Sequence, residues 1–285
     1  MTRREHVTGS ARDRLGHWAS AFSGRSWSIP WIAEALLPPA TLDTTAGLLT
    51  SWHWMLDAIR YLVAGGISWR AMPADFPDWS RVYAFFRRWR EHGLITEFHD
   101  RLRERVRERE GREGEPTAGI IDAQSVRGAA TVPAASRGYD GGKKVPGRKR
   151  HIVTDRLGLL LVVVVTAANI GDRDAATGLL GRVRRLHRDI TLVWADGGYT
   201  GDLVDWCRQK LALTLEIVKR TDDMKGCVVL PRRWVAERTF AWLMNSRRLA
   251  RDYETLPATS EAMIRWSMIT RMGRRLAKAR AAGRR

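Results

Sequence analysis

Residues 149–169 read KRHIVTDRLGLLLVVVVTAAN, and the two apolar runs on either side of Arg156–Gly158 decide the fold. The longest apolar run, Leu157 to Ala168, is rich in valine. A membrane-crossing helix needs about 20 apolar residues, so this run is too short to cross and reads as a buried strand. With a polar, glycine-containing turn before it, the segment predicts a β-hairpin.

Outward from the hairpin, strands and helices alternate. AGIIDAQSV (118–126) is a strand, DRDAATGLLGRVRRLH (172–187) a helix, and ITLVWADGGY (190–199) a strand. GDLVDWCRQKL (201–211) follows as a second helix, TLEIVKR (214–220) as a fifth strand, and PRRWVAERTFAW (231–242) opens a third helix near Pro231, a residue suited to a first turn. The order β-β-β-α-β-α-β-α predicts a mixed α/β sheet with helices on both faces.

The first 110 or so residues look helical and hold most of the 13 tryptophans. LLTSWHWMLDAIRYLVAGG (48–66) has apolar residues at helical spacing and ends on Gly65-Gly66. WSRVYAFFRRWREHG (79–93) carries an apolar stripe of Val82, Phe85, Phe86 and Trp89, with Arg81, Arg87, Arg88 and Arg90 over much of the rest. Two helices with a glycine turn, the second one basic, suit a helix-turn-helix DNA reader. The helix that follows dissolves into REREGREGEP, which sets a boundary near Gly111–Thr117: residues 1–112 as a helical DNA-binding domain, 113–285 as the α/β domain with a basic tail.

Lys and Arg number 49 against 31 Asp and Glu, a net charge of +18, which favours a polyanionic partner. Nucleic acid leads over a membrane surface because no basic amphipathic anchor stands out at either end. Two cysteines, Cys207 and Cys227, have neither a disulfide framework nor zinc-site spacing, and the N-terminus has no apolar signal core. A soluble protein of the reducing cytoplasm, associated with the nucleoid, is expected.

Three carboxylates stand out. Asp122 lies inside a strand, on the face of Ile120 and Val126, where a charge is costly without compensation. Asp196 ends the strand LVWA before Gly197-Gly198, the kind of position where α/β sheets bind ligands. Glu237 lies on the third helix opposite Val235, Trp242 and Leu243, and at about 100° per residue it shares a face with Arg233, Asn245 and Arg248. A salt-bridge glutamate would also look like this. Two aspartates on strands and a glutamate on a helix among arginines nevertheless suit hard cations beside a phosphodiester, since Mg²⁺ takes oxygen ligands.

The chain resembles a bacterial insertion-sequence transposase of the DDE type, in the broad group called IS-five. The likeness runs in order through SWRAMPADFPDWSRVYAFFRRW, IIDAQSVRG, GYDGGKKVPGRKRHIVTDRLGLLL, ANIGDRDAA, WADGGYTG and PRRWVAERTFAWLMNSRRLARDYE. It implies an RNase H-like catalytic domain in which Asp122, Asp196 and Glu237 bind two Mg²⁺ (or Mn²⁺) ions. The implied activity is cleavage at the element's ends and joining of 3′ hydroxyls to target DNA by an oligomer, a dimer or larger. A related subgroup places a Tyr before and a Lys after the catalytic Glu. Leu230 and Met244 stand there in this chain, leaving Arg247 and Arg248 to supply a cation.

The expected DNA contacts are Arg81, Arg87, Arg88 and Arg90 for end recognition. Lys143, Lys144, Arg148, Lys149, Arg150, Arg233, Arg247 and Arg248 would hold phosphates, and Tyr199 would stack on a base or pack. Asp140, Asp155, Asp172 and Asp174 fit turn and helix-start roles better than metal binding. Two other readings stay open: an RNase H-like nuclease that cannot join ends, and a catalytically dead regulator derived from a transposon.

Overall fold

A computed structural model describes residues 46–218 and 234–282. These residues fall into two compact units, one running up to Leu62 and including Ile67–Phe98, the other formed by Val63–Gly66 and His99 onward.

The first unit is helical. Helix α1 (Ala46–Gly65) buries Leu56, Ile59 and Leu62, and the chain leaves it through Gly66 at φ +73°. Helix α2 (Trp79–Glu91) is capped by Asp78, which accepts from the Ser80 amide. Its stripe of Val82, Phe85, Phe86 and Trp89 is buried as the spacing predicts. The tight glycine turn, however, is not between α1 and α2, which are separated by a longer connection containing the 3₁₀ turn Trp69–Ala71. It lies at Gly93 (φ +73°), between α2 and α3 (Leu94–Arg109).

The second unit is a six-stranded mixed sheet: β1 (Ala118–Arg127), β2 (Gly138–Asp140), β3 (Val145–Thr154), β4 (Leu160–Ala167), β5 (Leu192–Ala195) and β6 (Thr214–Ile217). Strand β1 is central, antiparallel to β3 on one side and parallel to β5 on the other, with β6 beyond β5. Strands β2 and β4 share the far edge of β3. The sheet departs from the sequence reading at one place. Strand β3 begins at Val145, ahead of the Lys149 at which the hairpin was expected to start, and the short β2 precedes it, so most of GYDGGKKVPGRKR is already sheet.

Four helices accompany the sheet: α4 (Asp172–Leu186), α5 (Asp202–Leu211), α6 (Trp234–Met244) and α7 (Pro257–Ala282). One core joins Ile121, Val153, Val193 and Ala195 to Leu179, Leu180 and Val183 of α4 and to Leu203 and Cys207 of α5. A second joins Ile120 and Trp194 to Val235 and Ala236 of α6. Adjacent strand residues point to opposite faces, so Ile121 and Ala195 serve the α4–α5 side while Ile120 and Trp194 serve the α6 side. This use of both faces explains why β4 is an unbroken apolar run.

The turn from β3 to β4 is built for close approach. Asp155 is fully buried, accepts from the Leu157 and Leu159 amides at 2.9 and 2.8 Å, and forms an ion pair with Arg107 of α3. Helix α6 then lies on the turn: Thr239 donates to the Gly158 carbonyl at 2.9 Å and Arg238 to the Leu157 carbonyl at 3.1 Å. A Cβ on Gly158 (φ +78°) would meet Thr239 Oγ1 at 2.9 Å and the Trp242 ring at 3.0 Å. Gly158→Ala is therefore expected to destabilise the second unit by about 1–3 kcal/mol, combining left-handed backbone strain with the clash. A thermal or urea melt checks this, and an unchanged midpoint would contradict the close approach.

Candidate active site at the ends of two parallel strands

The parallel ladder of β1 and β5 pairs Ala118 with Leu192, Gly119 with Val193 and Ile120 with Trp194. Asp122 and Asp196 each come two residues after the last pair, so continuing the register sets them abreast. They also share a face with Ile120 and Trp194 by two-residue alternation. One oxygen of each is oriented by a backbone amide: Ala123 N–H donates to Asp122 at 2.7 Å, and Gly198 N–H to Asp196 at 2.8 Å. The second bond exists because the chain turns into the 3₁₀ segment Gly197–Tyr199 directly after β5.

Glu237 reaches the same face by way of α6. Val235 and Ala236 are buried against Ile120 and Trp194, the residues two before each aspartate, and Glu237 follows them on the exposed side of the helix. The three carboxylates are thus carried by elements that meet at one side of one sheet. Among the described residues, no three His, Cys, Asp or Glu side chains are grouped tightly enough to hold one metal ion. The donor chemistry, oxygen only, fits a hard cation.

Tyr199 is buried at 1% exposure, inside the α4–α5 core, so its ring is not presented to a base. Its hydroxyl has no hydrogen-bond partner. Burial raises its pKa strongly, and the carboxylates of Asp172, Asp122 and Asp196 add to the rise.

The cation-rich segment is sorted by the sheet into exposed and internal groups. Lys143 and Lys144 are exposed in the turn between β2 and β3, with Lys143 Nζ donating to the Ala123 carbonyl at 3.1 Å. Arg148, Lys149 and Arg150, expected on the DNA-facing surface, are buried in β3. Arg148 donates to the carbonyls of Ser136, Glu254 and Thr255 and to the Ser136 and Ser260 hydroxyls, and pairs with Asp252. Lys149 lies 3.0 Å from Asp172 and 3.6 Å from Asp140. Burial pushes the Arg150 pKa down to about 10, against the pull of Asp252. Strand formation accounts for all three, since it turns them into the layers above and below the sheet.

Of the other residues singled out, Arg248 is also internal. Helix α6 ends at Met244, and the 3₁₀ turn Arg247–Leu249 directs Arg248 onto Glu254 at 2.8 Å, while Arg247 stays exposed. Arg81 and Arg87 are exposed on α2, and Arg88 and Arg90 half-buried; Glu91 lies 3.9 Å from Arg87 and 3.2 Å from Arg90. Arg233, Leu230 and Cys227 lie outside the described residues. Asp140 and Asp155 hold turns, as expected. Buried Cys207 has its thiol pushed up to about 11 by that burial. No described helix is long and apolar enough to cross a membrane.

Sequence reasoning missed the grouping of Arg238, Trp234, Trp242 and Arg271, in which guanidinium groups lie over indole rings. The signal was present: Trp234, Arg238 and Trp242 recur every four residues on α6.

Comparison with known proteins places these elements. Residues 113–272 match the family described as transposase DDE domain, and residues 30–99 match a family described as putative transposase of the IS4/5 family. Over 117 residues, 38% of this chain, the sequence is 36% identical to the putative transposase for insertion sequence element IS402 of Burkholderia cepacia. The match spans about half of that relative, 54% of its length.

A pH dependence follows from His151, buried in β3 with Nε2 3.0 Å from the Thr166 hydroxyl. Burial pushes its pKa down to about 4. Unfolded histidine takes up a proton near pH 6.5. The unfolded chain therefore binds a proton that the folded chain refuses, and stability is lost as pH falls from about 6.5 to about 4. The loss from this residue is up to about 3 kcal/mol. Buried His99, also lowered first by burial, acts in the same direction. Melts across that range should show the loss, with a shallower slope for His151→Gln; identical slopes would remove His151 from the account.

Proposed function

Since this chain belongs to the transposase DDE-domain family, we propose that it is the transposase of a bacterial insertion sequence, cutting DNA at the element's ends and joining the freed 3′ hydroxyls to target DNA. The observation that carries the reading is the register that sets Asp122 beside Asp196, with α6 and its Glu237 seated on the same sheet face.

In this reading Asp122, Asp196 and Glu237 would hold two Mg²⁺ or Mn²⁺ ions. When bound, such ions activate the attacking water or hydroxyl and offset charge on the leaving oxygen. The protein's own part is positional. The Ala123 and Gly198 amides fix the carboxylate orientations, and the apolar seat of α6 fixes the third. Lys143, Lys144 and Arg247 are exposed cations suited to gripping phosphates, which positions DNA without reading sequence. Arg81, Arg87, Arg88 and Arg90 of α2 are the proposed end readers, and Arg233 a further phosphate contact. The active form is proposed to be a dimer or larger assembly on duplex DNA.

Asp122→Asn, Asp196→Asn and Glu237→Gln should each lower cleavage of end DNA by about a thousandfold or more, a loss of about 4 kcal/mol of transition-state stabilisation. Gel-shift affinity for the same DNA should stay within about twofold. Loss of binding together with cutting in a folded variant would remove the residue from the catalytic set. Strand-transfer assays on pre-cleaved ends separate this reading from a nuclease that only hydrolyses. Chelation should abolish cleavage, while Ca²⁺ should support binding without turnover.

The two kinds of cation should also separate. Neutralising Lys143 and Lys144 should flatten the salt dependence of DNA binding by about one unit of slope for each phosphate no longer gripped. Substituting Arg148 by Met leaves Asp252 buried without its partner and should instead lower stability by about 3–5 kcal/mol. A flattened slope without a stability change at Arg148 would reverse these roles.

A further inference from the structure

A cleft of about 650 Å³ runs between α6, α7 and the β3–β4 turn. Arg156 and Leu157 line it from the turn, Trp234, Arg238 and Trp242 from α6, and Arg271 and Arg274 from α7. It does not contain Asp122, Asp196 or Glu237.

The cations in this cleft are arranged rather than scattered. The Arg238 guanidinium lies 4.3 Å from the Trp234 ring centre and 4.7 Å from that of Trp242, and Arg271 lies 3.6 Å from the Trp242 ring centre. Such stacking holds a guanidinium flat and leaves its N–H donors pointing outward in the plane, where an indole face cannot satisfy them. One Arg238 N–H donates to the Leu157 carbonyl, while Nε is buried without a hydrogen-bond partner. Among the described residues, no carboxylate forms an ion pair with Arg156, Arg238, Arg271 or Arg274, whereas neighbouring Arg275 pairs with Glu110 at 2.9 Å. Burial, then Arg275, lowers the pKa of both Arg238 and Arg271; Arg238 and Arg274 add to the fall at Arg271, while Asp155 opposes it at Arg238. Like charges gathered this way repel one another until an anion joins them.

We propose that this cleft is a second DNA-binding site, in which Arg156, Arg238, Arg271 and Arg274 grip the phosphodiester backbone. The tryptophans serve as platforms for arginine, not for bases, so the contact is independent of sequence. A phosphodiester suits the cleft better than an acidic peptide for two reasons. The whole chain, at +18, is tuned to polyanions, and Arg238 directly follows Glu237, about 100° around the same helix. A strand held here would run alongside the catalytic carboxylate. The inference rests on the DNA-cutting reading.

The test uses the full chain, a labelled duplex of arbitrary sequence and a range of salt concentrations. Arg156 and Arg274 are exposed, so R156A/R274A should keep its melting temperature and lower the slope of log K against log salt by about 1.8 units, at about 0.9 per phosphate neutralised. The charge-matched control R185A/R208A, at exposed positions on α4 and α5, should change the slope by less than about half a unit. An equal change in both variants overturns the site, because it would reduce the effect to net charge. Displacement of the duplex from the cleft by poly-glutamate as readily as by unlabelled DNA also overturns it. Failure of the unsubstituted chain to bind DNA at all would sink the transposase reading as well, whereas normal binding with an unaltered slope in R156A/R274A sinks this inference alone.

Discussion

The apolar seat of α6 on β1 and β5 is the contact on which the polar chemistry depends. Val235 and Ala236 bury against Ile120 and Trp194, and a large aliphatic side chain contributes about 1.5–3 kcal/mol when fully removed from water. The alternation of a strand then leaves no choice about the next residue on that face. If Ile120 and Trp194 point toward α6, so do Asp122 and Asp196. An ordinary hydrophobic contact thereby sets the helix that carries Glu237 on the same sheet face as the two aspartates. The glycine at 158 belongs to the same device, because any larger residue would push the helix off its support.

Charge in this protein serves two separate purposes. Arg107 and Arg148 are buried, each paired with a carboxylate, and Arg103 is buried between Asp100 and Glu115. Buried pairs of this kind add little net stability, yet removing one member is severe, so they specify one arrangement of the elements they join. Exposed cations, among them those of α2, of the β2–β3 turn and of the cleft beside α6, contribute the outward field. A net charge of +18 therefore merges two populations that only the fold separates.

The alternation of strands and helices was legible because each strand's buried faces left a direct apolar record, clearest in LLLVVVV. Asp122, Asp196 and Glu237 were conspicuous since each breaks a pattern: a charge within a strand, an acid before two glycines, and a lone glutamate among arginines. What could not be read was the direction of side chains in GRKR. A run of cations looks like a solvated loop, and only pairing with β1 and β4 turns Arg148 and Lys149 inward, toward acceptors distant in sequence. Tyr199 was obscured for a related reason: its fate depends on a 3₁₀ turn after β5 that carries the ring beneath the sheet. The arginine–tryptophan cleft needed α7, whose register against α6 no local periodicity records.

Arg148 has one more effect, on the order of events during synthesis. Its acceptors at Asp252, Glu254, Thr255 and Ser260 come more than a hundred residues after it in the chain. A nascent chain that has passed Glu237 already carries all three carboxylates, but its sheet still holds an arginine without those acceptors for its protons. The Arg148 guanidinium gains those acceptors only once they have left the ribosome. The order of synthesis thus leaves the surroundings of Arg148, a residue in the middle of the sheet, among the later parts of the second unit to be completed.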